Sequence, residues 1–209
     1  MAPIHDACKK GDVEAVRREL AAGVSLELRG PLWGSEIATP LLIAVNYESL
    51  EILSLLLEAG ADANVLITQE NSWSESPLSL ACLDGNLDLV TMLIAAGASA
   101  SLHLEDPSAN RPVEVFMSFP TDHKRILPML LRAGSPLPRP GTLWMQENQH
   151  FFNAVGTKYA NAVAAAGGYV PYERAHRKRL TDILIQKFPR LPADVLSHIV
   201  ALWAHTGQY

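Results

Sequence analysis

The sequence is organised by an interval of 37 residues. Four glycines, Gly23, Gly60, Gly97 and Gly134, follow one another at this interval. Apolar residues recur seven and three positions before each glycine, and prolines and alanines recur further upstream. The recurring positions are Val16, Leu53, Val90 and Leu127; Leu20, Leu57, Ile94 and Leu131; Pro3, Pro40 and Pro77; and Ala7, Ala44 and Ala81. A fixed period of this length predicts a chain of stacked structural units.

Each unit predicts two helices. A proline opens a short apolar helix, as in Pro40 to Val45, where its missing N–H costs nothing. After a polar break, apolar residues at helical spacing continue to an Ala-Gly pair, and glycine readily closes a helix. Neither helix can bury its apolar face alone, so neighbouring units must stack. We therefore expect an all-α solenoid.

These motifs resemble the ankyrin repeat. The resemblance rests on Thr39-Pro40-Leu41, on the run from Leu55 to Asn64, and on Ser76-Pro77-Leu78. It implies four repeats at about 3–34, 35–71, 72–108 and 109–137, of which the first begins at its inner helix and the last is degenerate. The family period is about 33 residues, and the extra residues here precede the next Thr/Ser-Pro. We therefore expect long β-turn fingers.

The resemblance implies a non-catalytic module that binds another protein. In the family, the concave face carries the two residues that directly follow the alanine and the cysteine or valine of the inner helix. Trp33 and Trp73 stand at the finger tips, and tryptophan is enriched at binding hot spots. Packing of both tryptophans onto their own repeats is the alternative. The candidate contacts on the concave face are Lys9, Lys10, Asn46, Tyr47, Leu83 and Asp84.

The repeat register also assigns individual polar residues. Cys8 and Cys82 are two periods apart and occupy one position in different repeats, too distant for the ~7 Å that a disulfide allows. We expect both to be core thiols. The histidine that often follows Thr-Pro-Leu in the family survives only as His5, so its hydrogen bonding is in doubt for the middle repeats. Asn64 is expected to cap its own turn.

The C-terminal third differs in composition from the repeats. Residues 1–137 carry nine lysines and arginines against eighteen acidic residues, whereas residues 138–209 carry eight against four. The proline-rich stretch between them predicts a linker at 138–141. We expect a helical extension at 142–209, with helices over about 142–166, 171–188 and from 192.

Two roles are open for this extension. It is either a cap over the last repeat or an adaptor that recruits a ubiquitin ligase. The run from Leu191-Pro192 to Val200 is similar to the opening helix of an F-box, and its Leu-Pro resembles part of a suppressor-of-cytokine-signalling box. The preceding helix lacks that box's Leu-x-x-x-Cys signature.

Composition and the absence of known motifs argue against several other classes of function. A pI of about 5.8 argues against nucleic acid as the main partner, because that partner needs a clustered basic surface. The basic group Arg174, Arg177, Lys178 and Arg179 is expected to be a solvated face, and contact with nucleic acid or an anionic membrane is the alternative. The apolar stretches are too short for a membrane span. No phosphate loop, nucleophile elbow or zinc-protease motif is present. We expect no catalytic residue, cofactor or metal, since His176, His198 and His205 fit a helical core better than a metal site. A monomer in the cytoplasm or nucleus is the expected state.

Overall fold

The computed structural model describes residues 3–31, 37–68, 74–101, 125–136 and 161–205. Three helix pairs lie in the first three repeats, and the outer helix of the fourth follows. The predicted inner helix of the fourth repeat and the predicted linker lie outside the described residues. The helices are α1 Pro3–Lys10, α2 Val13–Ala21, α3 Pro40–Asn46, α4 Leu50–Glu58, α5 Pro77–Asp84, α6 Leu87–Ala95 and α7 Ile126–Arg132.

Sequence signals at the helix ends explain these bounds. Helices α3 and α5 begin with proline directly after a Thr39 or Ser76 cap, which satisfies a backbone N–H that has no partner within the helix. The outer helices end before the periodic glycines, whose φ angles lie between 74° at Gly23 and 93° at Gly60. Glycine takes this left-handed conformation at little steric cost. The predicted helix pairs are confirmed in the first three repeats.

The helices form two layers along the chain. Inner helices α1, α3 and α5 pack side by side, and outer helices α2, α4, α6 and α7 pack in the same order. One continuous apolar core fills the space between the layers. Its largest fully buried side chains are Ile4, Leu41, Leu42, Ile43, Ile52, Leu53, Leu56, Leu78, Leu89, Leu93 and Ile126.

The fingers between repeats contain short paired strands. They are β1 Gly30–Pro31, β2 Ile37–Ala38, β3 Ile67–Thr68 and β4 Ser74–Glu75, in the spatial order β1-β2-β3-β4. All neighbours are antiparallel, and Ile37 pairs with Thr68 across two successive fingers. Backbone hydrogen bonds therefore join the first finger to the second.

A periodic hydrogen bond also links neighbouring repeats. The carboxylate of Glu27 accepts from the backbone N–H of Asp62 at 3.1 Å, and one period later Asn64 Oδ1 accepts from Ser99 N at 2.7 Å. The expectation that Asn64 caps its own turn is wrong. The carboxylate of Asp62 accepts from the Asn64 backbone N–H at 2.8 Å, which leaves the Asn64 side chain to bridge to the next repeat.

The C-terminal extension ends in a helical hairpin. A helical segment at 161–165 leads into α8 Tyr169–Lys187, and a short turn leads on to α9 Ala193–His205. Helix α8 packs on both α9 and α7. Leu196 and Val200 of α9 are buried but lie outside the main core, so they form a small core of the hairpin. The first residue of α8 lies two positions before the predicted 171.

Candidate protein-binding surface

The predicted contact residues lie in two rows across the inner helices. One row contains Lys9, Asn46 and Leu83, all half-buried; the next contains Lys10, Tyr47 and Asp84, all exposed. Each row contains one residue from the C-terminal end of each of the three inner helices α1, α3 and α5. These helices pack against one another in chain order. The structure thus brings six predicted residues onto one continuous surface, here called the inner-helix rows.

The first finger is fastened beside these rows. The Lys9 ammonium donates to the carbonyl of Pro31 at 2.8 Å, and His5 Nε2 donates to the carbonyl of Leu28 at 2.9 Å. His5 is fully buried, and a Cβ added at Gly30 would lie 2.8 Å from its ring. The close approach of the finger to the His5 ring therefore requires glycine at residue 30. The hydrogen bond from Lys9 to Pro31 places this finger next to the inner-helix rows.

The repeats that lack this histidine use other groups. In the third repeat, Ser76 Oγ accepts from Ser79 N at 3.1 Å, and Ser79 Oγ accepts from Ser76 N at 2.8 Å. This capping box satisfies both backbone donors. In the second repeat the position holds the buried Leu42, whose N–H donates to Thr39 Oγ1 at 3.5 Å. In the third repeat, the position equivalent to His5 therefore holds a serine that caps the inner helix together with Ser76.

An acidic pair occupies the end of the rows at the second and third repeats. Burial raises the pKa of the Asp84 carboxyl above its ordinary value, and the nearby charge of Glu48 raises it further. Glu48 Oε2 accepts from Asn86 Nδ2 at 2.8 Å, which holds this carboxylate between two repeats. A partly desolvated carboxylate next to a like charge favours a cation in its surroundings.

Glu48 is a site residue that the sequence reasoning missed. Among the described residues it is the only non-glycine with a positive φ, at 52°, and its counterparts one period away are Gly11 and Gly85. A side chain in this conformation costs about 1–2 kcal/mol. The signal was present in the repeat alignment, where a glutamate replaces glycine at a helix end.

The fingers are the second predicted source of contact residues. Trp33 and Trp73, the predicted tip contacts, lie outside the described residues. The first finger does expose two large apolar side chains, Leu28 and Ile37. Tyr47 of the inner-helix rows is exposed to a similar extent, at 40%.

A charged cluster joins the last repeat to the hairpin. Arg132 Nε donates to Glu173 Oε1 at 3.0 Å, Arg177 donates to the same oxygen at 3.0 Å, and the Arg132 guanidinium lies over the Tyr169 ring. Burial alone would raise the pKa of Glu173. The hydrogen bonds and positive charges of Arg132 and Arg177 outweigh it and lower that pKa below its ordinary value.

The hairpin carries exposed apolar side chains at the end where α8 and α9 connect. Phe188 is 50% exposed, and Ile185, Leu191 and Val195 are exposed beside it. In the described parts of the chain, no three metal-ligating side chains come close enough to hold an ion. No helix described there has the length and apolar character needed to cross a membrane.

Comparison with known proteins decides the family of the repeats. A family model described as "Ankyrin repeats (3 copies)" matches residues 4–106. Residues 4–106 are ankyrin repeats. Three curated relatives named "Ankyrin repeat and SOCS box protein 11", from Pongo abelii, Homo sapiens and Mus musculus, are each 32% identical over 79 residues. This match covers 38% of the present chain and 22% of each relative, so it spans about a fifth of their length.

A solved structure supports the same fold. The crystal structure of the human ASB11 ankyrin repeat domain aligns with a TM-score of 0.55 at 22% sequence identity. The alignment covers 69% of this chain and 59% of that one. The predicted ankyrin solenoid is confirmed.

Proposed function

We propose that this protein binds another protein through the inner-helix rows and the adjoining fingers, without catalysing a reaction. Ankyrin repeats bind other proteins, and the stack presents an unbroken series of solvent-accessible side chains at positions that stacking does not need. The observation that carries the proposal is that Lys10, Tyr47 and Asp84 are all exposed on consecutive inner helices. Trp33 and Trp73 are proposed to add contacts from the finger tips.

The side chains of the rows are better suited to binding a partner than to stabilising the stack. Neighbouring repeats place Lys, Tyr and Asp at one position and Lys, Asn and Leu at another, so the surface is specific to its place in the stack. Exposed tyrosine contributes a large contact area at a small entropic cost on binding. Truncation of such residues at an interface commonly costs at least 1–2 kcal/mol.

Proximity labelling with the full chain tests this proposal. Proteins enriched by the wild type should lose at least about tenfold of their signal with the Tyr47→Ala, Leu83→Ala double variant. The matched control is Arg18→Ala with Asp88→Ala, which alters exposed residues of the outer helices and should leave enrichment unchanged. Equal enrichment by wild type and the row variant would reject the inner-helix rows as the binding surface.

A second candidate is a ubiquitin-ligase adaptor in which the hairpin recruits the ligase. Two observations favour it: the exposed apolar side chains where α8 and α9 connect, and the SOCS box in the name of the curated relatives. The competing role is a cap, which is supported by the contacts of Glu173 with Arg132 of the last repeat. Both roles are compatible with binding through the rows.

Full-length variants separate the two roles of the hairpin. Phe188→Ser with Leu191→Ser removes the exposed apolar groups and leaves the Glu173 cluster in place. If the adaptor role holds, affinity purification of this variant loses the ligase subunits that copurify with wild type and keeps the partners that depend on Tyr47. A wild-type purification without any ligase subunit contradicts the adaptor role.

A further inference from the structure

The inner-helix rows carry charges of opposite sign at their two ends. Lys9 and Lys10 lie in the last turn of α1, with Asp6 as the acidic residue of that helix. Two periods along the chain, Asp84 ends α5, and Glu48 lies beside it. The exposed Tyr47 stands between the two ends. The row position of Lys10, Tyr47 and Asp84 therefore changes from a cation through an aromatic ring to an anion in the order of the repeats.

Two features indicate that the negative end is built for a cation. The Asp84 carboxyl is partly desolvated next to the carboxylate of Glu48, and among the described residues neither group forms an ion pair with a lysine or an arginine. The backbone of Glu48 also adopts the left-handed conformation that glycine takes at the equivalent positions Gly11 and Gly85. Local strain of this kind persists at functional positions more often than elsewhere.

The spacing of the two ends sets the length of a matching ligand. Packed helices lie about 8–10 Å apart, so the two steps from α1 to α5 separate Lys10 from Asp84 by roughly 16–20 Å. An extended peptide advances about 3.3–3.6 Å per residue. A segment of about five or six residues therefore crosses the rows.

Resting on the proposed function, we propose that the inner-helix rows bind an extended protein segment of fixed polarity. The segment places a carboxylate at Lys10, an apolar or aromatic side chain at Tyr47 and Leu83, and a lysine or arginine at Asp84 and Glu48. Charge complementarity at both ends suppresses binding of the segment in the reverse direction, because like charges would then meet.

A displayed library of random twelve-residue peptides, selected on the full chain, tests the polarity. Peptides enriched on the wild type should carry an acidic and a basic residue about four to seven positions apart, with an apolar residue between them. The charge-exchanged variant Lys10→Glu with Asp84→Lys should enrich peptides in which the two charges have exchanged places. Enrichment of the same peptides by both proteins, or of none, would overturn the proposal.

Near-isosteric variants then assign the contribution of each end. The affinity of the best selected peptide, measured by fluorescence anisotropy, should fall at least fivefold with Lys10→Met and at least tenfold with Glu48→Gln plus Asp84→Asn. Arg18→Gln with Asp88→Asn is the charge-neutralising control on the outer helices and should leave the affinity unchanged. Circular dichroism of each variant confirms that the helices are retained.

Failure of the polarity and failure of the proposed function give different results. If Tyr47→Ala abolishes peptide binding but the charge variants do not alter it, the rows remain the binding surface and the polarity is wrong. If neither Tyr47→Ala nor the charge variants alter it, the surface itself is wrong and both proposals fail.

Discussion

Gly30→Ala tests whether the first finger is positioned by its contact with the His5 ring. An added methyl group would lie 2.8 Å from His5 Cδ2 and 2.9 Å from Nε2, closer than carbon and nitrogen atoms approach without displacement. Gly30 does not have a left-handed φ, so alanine is acceptable to the backbone itself. The cost therefore arises from the clash with the ring, which is fully buried.

The expected magnitude follows from two terms. Overpacking of a buried site costs about 1–3 kcal/mol, and displacement of the ring weakens its bond to Leu28, worth about 0.5–1.5 kcal/mol. We therefore expect Gly30→Ala to lower the free energy of unfolding by about 1.5–4.5 kcal/mol. Urea titration followed by circular dichroism measures this change.

The matched control removes the ring. His5→Ala is itself destabilising, because it leaves a cavity and loses the bond to Leu28. In that background a methyl group at residue 30 meets empty space, so the double variant should be more stable than the sum of the two changes predicts by about 1–3 kcal/mol. Additive free energies would refute the proposed contact between finger and ring. Nonadditive free energies would support the conclusion that the His5 ring positions the first finger, whose Pro31 carbonyl accepts from Lys9.

Three further predictions concern other contacts. Glu173→Gln should flatten the acid side of the stability profile: the folded carboxyl has a lowered pKa, so its contribution is complete above the ordinary value of about 4.3 and is lost as the pH falls through the folded pKa. Urea midpoints at pH 7 and pH 3.5 measure this, and equal pH dependence in both proteins contradicts it. Burial raises the pKa of Cys8 to about 12 and also raises that of Cys82, so a thiol reagent at pH 8 should label native protein at least about a hundredfold more slowly than urea-unfolded protein; equally fast labelling would show that the thiols are accessible. Asn64→Ala should cost about 0.5–1.5 kcal/mol through loss of the bond to Ser99, and an unchanged urea midpoint would show that this bridge is not stabilising.

The helical stack was predictable because its signals are local and repeated. Proline at a helix start, glycine at a left-handed helix end and apolar residues at helical spacing each act within one repeat, and the 37-residue interval shows them several times. Cys8 and Cys82 are buried free thiols, as their register predicted. Each of these inferences required only the sequence of one repeat and the knowledge that another repeat packs against it.

Contacts between different units were not predictable in the same way. The bond from Asn64 to Ser99 depends on where the next repeat places its backbone, so the turn motif alone suggested a local cap. The two-residue strands are too short for an alternating apolar pattern. Arg132 and Glu173 are 41 residues apart and belong to no repeated position, and the sequence therefore gave no sign of their pairing.

The rows are informative because stacking does not constrain them. At core positions the repeats agree, as Ala7, Ala44 and Ala81 do, since each must fit the same space. At the row positions they differ, and beside the rows Glu48 stands where the neighbouring repeats have glycine, against local backbone preference. Its carboxylate accepts a hydrogen bond from Asn86 of the next repeat, and its charge lies close to the carboxyl group of Asp84. We therefore propose that the order of charges from Lys10 to Asp84 is the property of this stack that selects its partner.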